Sequence, residues 1–295
     1  MTVPTLLVDP EWLHSRLDDP RLRIIDATTF LHMDPDGTDH KLTSGRAAYE
    51  QEHIPGAVFA DLLTDFSDPD AGVPMTVLDS ETFAARIGAL GVGPDTHVVV
   101  YDQGANMWAT RLWWNLRLEG FDAVSVLDGG LPAWKRAGYP TRSGAESHPA
   151  ATFVARRRPE LLATKDTVAK AIGDDGVVLV NALDPATFRG ESNAYPRPGR
   201  IPSSVNIPFL DLTDEHGRVR DLDQVRDLFA KTGTLDDDKR VITYCGGGIA
   251  ATFVAFDLAR LGRDDVAVYD GSLNEWTADP ALPLEVGEPT APEAK

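Results

Sequence analysis

The chain is poor in cysteine, with Cys245 the only one among its 295 residues. A single cysteine cannot form an internal disulfide, so the composition favours a reducing, cytoplasmic setting. No apolar run approaches the roughly 20 residues that a membrane-spanning helix needs. Residues 1–9 contain no basic region ahead of their short apolar patch, and we therefore expect no secretion signal.

Positive charge is also scarce. The 28 lysines and arginines are outnumbered by 46 aspartates and glutamates, which gives a formal net charge of −18. Such a charge argues against a phosphate-backbone partner, so we expect neither a nucleic acid nor a membrane as partner. The one dense basic run, residues 156–158, is interpreted as solvated chain. The oligomeric state stays open.

The sequence instead contains an α/β pattern that occurs twice. Predicted strands at 97–101 and 124–127 recur at 241–244 and 266–269. The registers agree, because Tyr101 and Tyr244 are 143 residues apart, whereas Asp128 and Asp270, like Trp134 and Trp276, are 142 apart. A period of this length indicates a duplicated domain rather than a solenoid.

Strands that alternate with helices predict an α/β fold with a parallel sheet covered by helices on both faces, formed twice. A stretch rich in proline and mixed residues separates the two halves. We therefore predict an N-terminal domain over residues 1–140, a linker over 141–160 and a C-terminal domain over 161–288.

The lone cysteine follows the predicted strand 241–244 and precedes three glycines, Gly246, Gly247 and Gly248. A helix is predicted over 249–261. Glycines allow successive backbone amides to turn inward, and a helix N-terminus adds positive potential, so the loop is a candidate anion site. The same field favours the thiolate, which is the nucleophilic form of cysteine.

The two halves differ at this position. The first-half counterpart of Cys245 is Asp102, in a loop that is one residue longer and has no nucleophile. Ligands of parallel α/β sheets bind beyond the carboxyl ends of the strands, which is where both residues are expected to lie. We therefore expect the chemistry to reside in the second half.

Three kinds of anion loop fit a glycine-rich turn of this type. Gly246, Gly248 and Ala251 match a dinucleotide fingerprint, with Asp270 near the place of a ribose-binding acid. However, the strand lies too close to the C-terminus to be followed by the rest of a nucleotide-binding unit. A cysteine phosphatase needs an arginine six residues after the cysteine, where this chain has Ala251. The third possibility is sulfur transfer.

A specific resemblance supports sulfur transfer. It rests on residues 53–57 (His-Ile-Pro-Gly-Ala), residues 200–208, the paired Asp-Gly turns with Trp134 and Trp276, and the six-residue loop 245–250. With these motifs, the halves resemble rhodanese domains, and nearly the whole chain resembles the thiosulfate and 3-mercaptopyruvate sulfurtransferases.

This resemblance implies an enzyme that moves a sulfane sulfur from thiosulfate or 3-mercaptopyruvate to cyanide or a thiol through a persulfide on Cys245. It implies no metal and no cofactor. By resemblance, the sulfur is held by the backbone amides of Gly246, Gly247, Gly248, Ile249 and Ala250. The donor's anionic end is met by two arginines, Arg189 and Arg197. His53 is expected to shape a turn and the domain interface, and a role for Arg200 stays open.

Several positions depart from the family pattern. Thiosulfate enzymes usually have Arg and Lys where this chain has Gly246 and Gly247, and mercaptopyruvate enzymes usually have a serine at the position of Gly247. A family aspartate appears as Asn181. The preferred donor therefore stays open, and the alternative function is a non-catalytic rhodanese-like binding or sulfur-carrier module.

Overall fold

The computed structural model describes residues 5–34 and 40–288. Within these ranges the strands are β1 (Leu7–Val8), β2 (Leu22–Asp26), β3 (Thr29–Met33), β4 (His40–Ser44), β5 (Ala57–Phe59), β6 (His97–Tyr101), β7 (Val124–Leu127), β8 (Leu162–Ala163), β9 (Val177–Asn181), β10 (Ser204–Asn206), β11 (Arg240–Tyr244) and β12 (Ala267–Tyr269). The helices are α1 (Pro10–His14), α2 (Arg46–Gln51), α3 (Ser80–Ala89), α4 (Met107–Leu118), α5 (Gly130–Arg136), α6 (Lys165–Ala171), α7 (Pro185–Arg189), α8 (Leu222–Phe229), α9 (Ala250–Arg260) and α10 (Ser272–Ala278). Two 3₁₀ turns cover Pro159–Leu161 and Phe209–Leu212.

The strands form two five-stranded parallel sheets with the same order. The first runs β1-β7-β6-β2-β5 and the second β8-β12-β11-β9-β10, so each strand of one sheet has a counterpart in the other. The predicted α/β fold with two duplicated domains is therefore confirmed. The antiparallel pair β3 and β4 lies only in the first half and was not predicted.

The central strands β6 and β11 are apolar because helices cover both faces of each sheet. Val98, Val99 and Val100 are each fully buried, which is the pattern of a parallel strand rather than a half-exposed one. The predicted strands over 97–101 and 124–127 have the observed bounds. The first helix begins at Pro10, with Asp9 as its N-cap, and ends at His14.

The two halves pack through α4 and α9. The Trp113 ring meets Phe256 edge-on with centroids 5.0 Å apart, and the Thr110 and Thr252 hydroxyls are 3.1 Å apart. Thr110 and Thr252 are 142 residues apart, so equivalent residues of the two halves contact each other at this interface. One buried apolar cluster runs through both halves. The loops after β6 and β11 lie at the junction, since Asn106 Nδ2 donates to Gly217 O (2.8 Å) and Arg111 Nη1 donates to Gly248 O (3.0 Å).

The segment between α5 and the 3₁₀ turn at Pro159 has no helix and no strand. It packs against the first half through the buried ring of Phe153, which contacts the rings of Phe83 and Phe121. In the described part of the chain, no helix is both long and apolar enough to cross a bilayer.

Candidate active site

Cys245 is the residue directly after β11, at the carboxyl edge of the second sheet. Its side chain is a free thiol and only 2% of the residue is exposed. The loop turns into α9 through Gly248, which has φ = +72°. A Cβ on Gly248 would lie 2.7 Å from the Asp270 carbonyl oxygen, so both conformation and space require glycine here.

Three carbonyls of the loop are held toward the outside of the turn. Leu273 N–H donates to Cys245 O (3.0 Å), Asn274 N–H donates to Gly246 O (2.9 Å), and an Arg111 Nη1 donates to Gly248 O (3.0 Å).

The two polar groups of a trans peptide point in opposite directions. The amides that follow these carbonyls, those of Gly246, Gly247 and Ile249, therefore face away from these three donors. Within the described ranges, none of these amides donates a hydrogen bond to a protein acceptor. The loop thus has three amides available for an anion.

Ser272 fixes the base of the loop. Its Oγ accepts from the amides of Cys245 (3.0 Å) and Gly248 (3.1 Å) and donates to Tyr269 O (2.7 Å). The Gly248 amide therefore donates to Ser272 and does not face a bound anion. The first-half counterpart of Ser272 is Gly130, so the serine distinguishes the half that contains the cysteine.

The matching loop of the first half holds a carboxyl group where the second half has the thiol. Asp102 Oδ1 accepts from the amides of Gly104 (2.8 Å) and Asn106 (3.1 Å), and Oδ2 accepts from those of Trp108 (3.0 Å) and Ala109 (3.1 Å). Asp102 is completely buried. Burial raises the pKa of Asp102, whereas the four amide donors act in the opposite direction.

The Thr110–Thr252 pair aligns the two loops, because it makes Trp108 and Ala109 the equivalents of Ala250 and Ala251. Asn106 (φ = +63°) likewise matches Gly248 in backbone conformation. The loop architecture after the central strand therefore gathers four amide donors around one acidic side chain in the half without the cysteine.

Tyr195 lies over the cysteine loop. A Cβ on Gly246 would come within 2.2 Å of the Tyr195 hydroxyl, so no larger residue fits at position 246 without displacing this tyrosine. Burial, and next the charge of a Cys245 thiolate, raise the pKa of Tyr195 well above its usual value. The tyrosine therefore presents a protonated hydroxyl beside the loop.

The two predicted donor-binding arginines have different environments. Arg189 ends α7 and pairs with Glu191 through Nε–Oε1 (2.7 Å) and Nη2–Oε2 (2.9 Å), with its side chain 28% exposed. Arg197 donates to four carbonyls at the end of and just beyond α10, those of Trp276, Thr277, Asp279 and Leu282. Arg189 is therefore accessible, whereas Arg197 anchors the segment that contains Tyr195.

The other residues named from the sequence contact different parts of the fold. His53 contacts Tyr49 O (2.8 Å) and Glu146 Oε1 (3.2 Å) in the first half and the segment that follows it. Arg200 donates to Gly287 O (2.7 Å) and pairs with Glu285. Asn181 accepts from Leu183 N–H (2.8 Å) at the end of β9.

Sequence reasoning missed Ser272, Tyr195 and Arg111. A signal existed only for Ser272, since the two Asp-Gly turns continue with glycine in one half and serine in the other. The described residues contain no cluster of three or more His, Cys, Asp or Glu side chains arranged for a metal ion.

A duplicated parallel fold with one thiol, held in a glycine loop at the carboxyl edge of the second sheet, is the arrangement that the resemblance to two-domain sulfurtransferases predicts. The sequence profile of the rhodanese-like domain matches residues 9–137 and again residues 164–279. The chain therefore belongs to the rhodanese-like family, and it is a sulfurtransferase.

Two 3-mercaptopyruvate sulfurtransferases match this chain over more than nine tenths of their own length. The 3-mercaptopyruvate sulfurtransferase of Escherichia coli K12 is 36% identical over 287 residues, which cover 95% of this chain and 98% of that protein. The human 3-mercaptopyruvate sulfurtransferase is 36% identical over 282 residues, covering 92% and 91%. The crystal structure of SseA from Escherichia coli, described as a 3-mercaptopyruvate enzyme of rhodanese fold, superposes with a TM-score of 0.79 at 34% identity, covering 91% of this chain and 99% of that one.

Proposed function

We propose that Cys245 is the nucleophile that carries sulfur between a small-molecule donor and a thiol or cyanide acceptor. Its thiolate attacks the thiol sulfur of 3-mercaptopyruvate or the outer sulfur of thiosulfate. The C–S or S–S bond to that sulfur breaks, and pyruvate enolate or sulfite leaves with the electron pair. An acceptor thiolate or cyanide then attacks the terminal sulfur of the persulfide and restores the Cys245 thiolate. The chemistry needs no metal and no cofactor.

The observation that carries this proposal is the pair of matching loops. Where the first half places Asp102 among four amides, the second half places Cys245 in the same position of the same fold. Charge on the sulfur of a thiolate or persulfide is stabilised by such fixed donors without a titrating base. We assign this role to the three amides of Gly246, Gly247 and Ile249. The amide of Ala250 joins them, because its first-half equivalent, Trp108, donates to Asp102. Gly248 shapes the turn.

The donor is proposed to be 3-mercaptopyruvate in preference to thiosulfate. Gly246 and Gly247 add no cation to the loop, and Tyr195 occupies the space that a side chain at position 246 would need. The two negative charges of thiosulfate are therefore less well neutralised by this loop than the single carboxylate of 3-mercaptopyruvate. Steady-state rates measured side by side with the two donors test this preference, and a higher kcat/KM for thiosulfate would reverse it.

Access to the sulfur is proposed to depend on Tyr195. Because the residue Cys245 is only 2% exposed, the donor reaches it after the tyrosine ring moves from Gly246. Arg197 serves the same site by anchoring the segment around Tyr195 to the end of α10. In this proposal residues 1–140 and 161–288 are the two domains, residues 141–160 link them, and the single cysteine suits the reducing cytoplasm.

Arg189→Ala is expected to raise the KM for the donor several-fold and to leave kcat much less affected. The guanidinium exchanges its exposed partner Glu191 for the donor's carboxylate, so its loss removes binding rather than chemistry. Initial rates over a range of donor concentrations measure the effect. Arg226→Ala, which removes an exposed arginine of α8, is the matched control and should retain the parental KM. An unchanged KM in Arg189→Ala with both donors would remove this residue from the site.

A further inference from the structure

A buried arginine of the half without the cysteine reaches the cysteine loop. Arg111 lies on α4 and is 1% exposed. Its Nη1 donates to Gly248 O (3.0 Å) and to Asp270 Oδ1 (2.5 Å), and its Nη2 donates to Met75 O (2.6 Å). One guanidinium thus joins the loop, the Asp-Gly turn after β12 and a segment of its own half.

The contact with Gly248 determines the direction of one peptide unit. With the Gly248 carbonyl turned toward Arg111, the Ile249 amide of the same peptide faces the opposite side. Asp270 holds the guanidinium in place, and its Oδ2 is in turn held by the Val77 amide at 2.8 Å. The guanidinium and the Asp270 carboxylate form a buried ion pair beside the loop, and the Arg111 Nη1 end of this pair is the one that contacts the Gly248 carbonyl.

The duplication offers an internal comparison. Asp128, the counterpart of Asp270, accepts from Arg218 Nε and from the Val219 amide, both at 2.8 Å. Val77 and Val219 are 142 residues apart, so the two halves exchange equivalent contacts.

The contact of Arg111 with the Gly248 carbonyl has no counterpart among these equivalent contacts. The second-half position equivalent to Arg111 is Phe253, and Arg218 is half-exposed at 45% of its side chain. A buried cation therefore contacts the loop that has the thiol, and its counterpart position is apolar.

We propose that Arg111 is a positioning residue for sulfur transfer: the first domain supplies the buried cation that orients the Gly248–Ile249 peptide around the sulfur of Cys245. The inference rests on the proposed role of Cys245. It gives the cysteine-free domain a function in the reaction beyond packing against its partner.

The test compares Arg111→Gln, Arg111→Lys and the control Arg218→Gln, which removes the equivalent ion pair at the other Asp-Gly turn. Stopped-flow single turnovers with 3-mercaptopyruvate measure the rate of persulfide formation, well below the unfolding temperature of each variant. Alkylation of Cys245 by iodoacetamide is followed over pH. Arg111→Gln should form the persulfide at least about tenfold more slowly, with its alkylation profile moved to higher pH. Arg218→Gln should match the parent in both.

Arg111→Lys should fall between the parent and the glutamine variant, because an ammonium keeps the charge but cannot make the forked contact to all three oxygens. This variant also decides the matter if Arg111→Gln does not fold. Parental single-turnover rates and alkylation profiles in the folded Arg111 variants would overturn the inference. Failure of the proposed function looks different, since the parent protein itself would then acquire no sulfur.

Discussion

Replacing Cys245 by serine is expected to lower kcat for sulfur transfer from either donor by at least about 10³-fold. A serine hydroxyl remains protonated at neutral pH and does not form the sulfur–sulfur bond that carries the group between donor and acceptor. The two side chains differ little in volume, so the buried position should accept the change without loss of fold. Turnover is measured with 3-mercaptopyruvate or thiosulfate and with cyanide as acceptor.

The control for this variant is its thermal unfolding, which should resemble that of the parent. Asn274 and Leu273 bind the loop through its backbone, so these contacts persist when sulfur is replaced by oxygen. Residual turnover above about a tenth of the parental rate in a folded Cys245→Ser protein would contradict a covalent role for this residue.

Replacing Asp102 by alanine is expected to lower the free energy of unfolding by about 3 kcal/mol or more. The change removes the acceptor of four amide groups, and a buried amide without a partner costs about 1–3 kcal/mol before the loop relaxes. Denaturant unfolding followed by fluorescence measures the loss. The control Asp95→Ala removes an exposed carboxylate of the same half and should change stability little.

Asp102→Ala also separates the two loops experimentally. The variant should retain sulfur transfer at temperatures where it is folded, because Asp102 lies in the first half and the cysteine loop lies in the second. A stability change below about 1 kcal/mol would mean that the four amides do not depend on the carboxylate, and would weaken the comparison between the loops.

The duplication and the position of the cysteine loop could be predicted from the sequence. Long buried strands such as β6 show as unbroken apolar runs, and the agreement of Tyr101 with Tyr244 in register aligns the halves. Helix starts also have local causes, as at α3, where the Asp79 side chain accepts hydrogen bonds from the amides of Glu81 and Thr82. These features depend on neighbours in sequence.

Short strands and long-range partners could not be predicted in this way. β1 and β8 have two residues each and exist because they pair with β7 and β12, more than a hundred residues away along the chain. Similarly, Arg111 lies 137 residues from Gly248. Nothing local marks such contacts, since they depend on how the two halves pack.

The predicted site residues show the same division. Residues 246–249 form the expected turn before α9, and Gly248 adopts the positive φ of 72° that glycine allows at low cost. The partners of each arginine depend on the tertiary structure, as with Arg197, which donates to four carbonyls at the end of and just beyond α10.

The central claim, that Cys245 carries the sulfur in transit, is tested most directly by the intact mass of the protein after one equivalent of 3-mercaptopyruvate without an acceptor. We expect the parent protein to gain one sulfur atom on the peptide that contains Cys245, to lose it on addition of cyanide, and to release one equivalent of pyruvate. Release of pyruvate with no gain of mass would contradict the account.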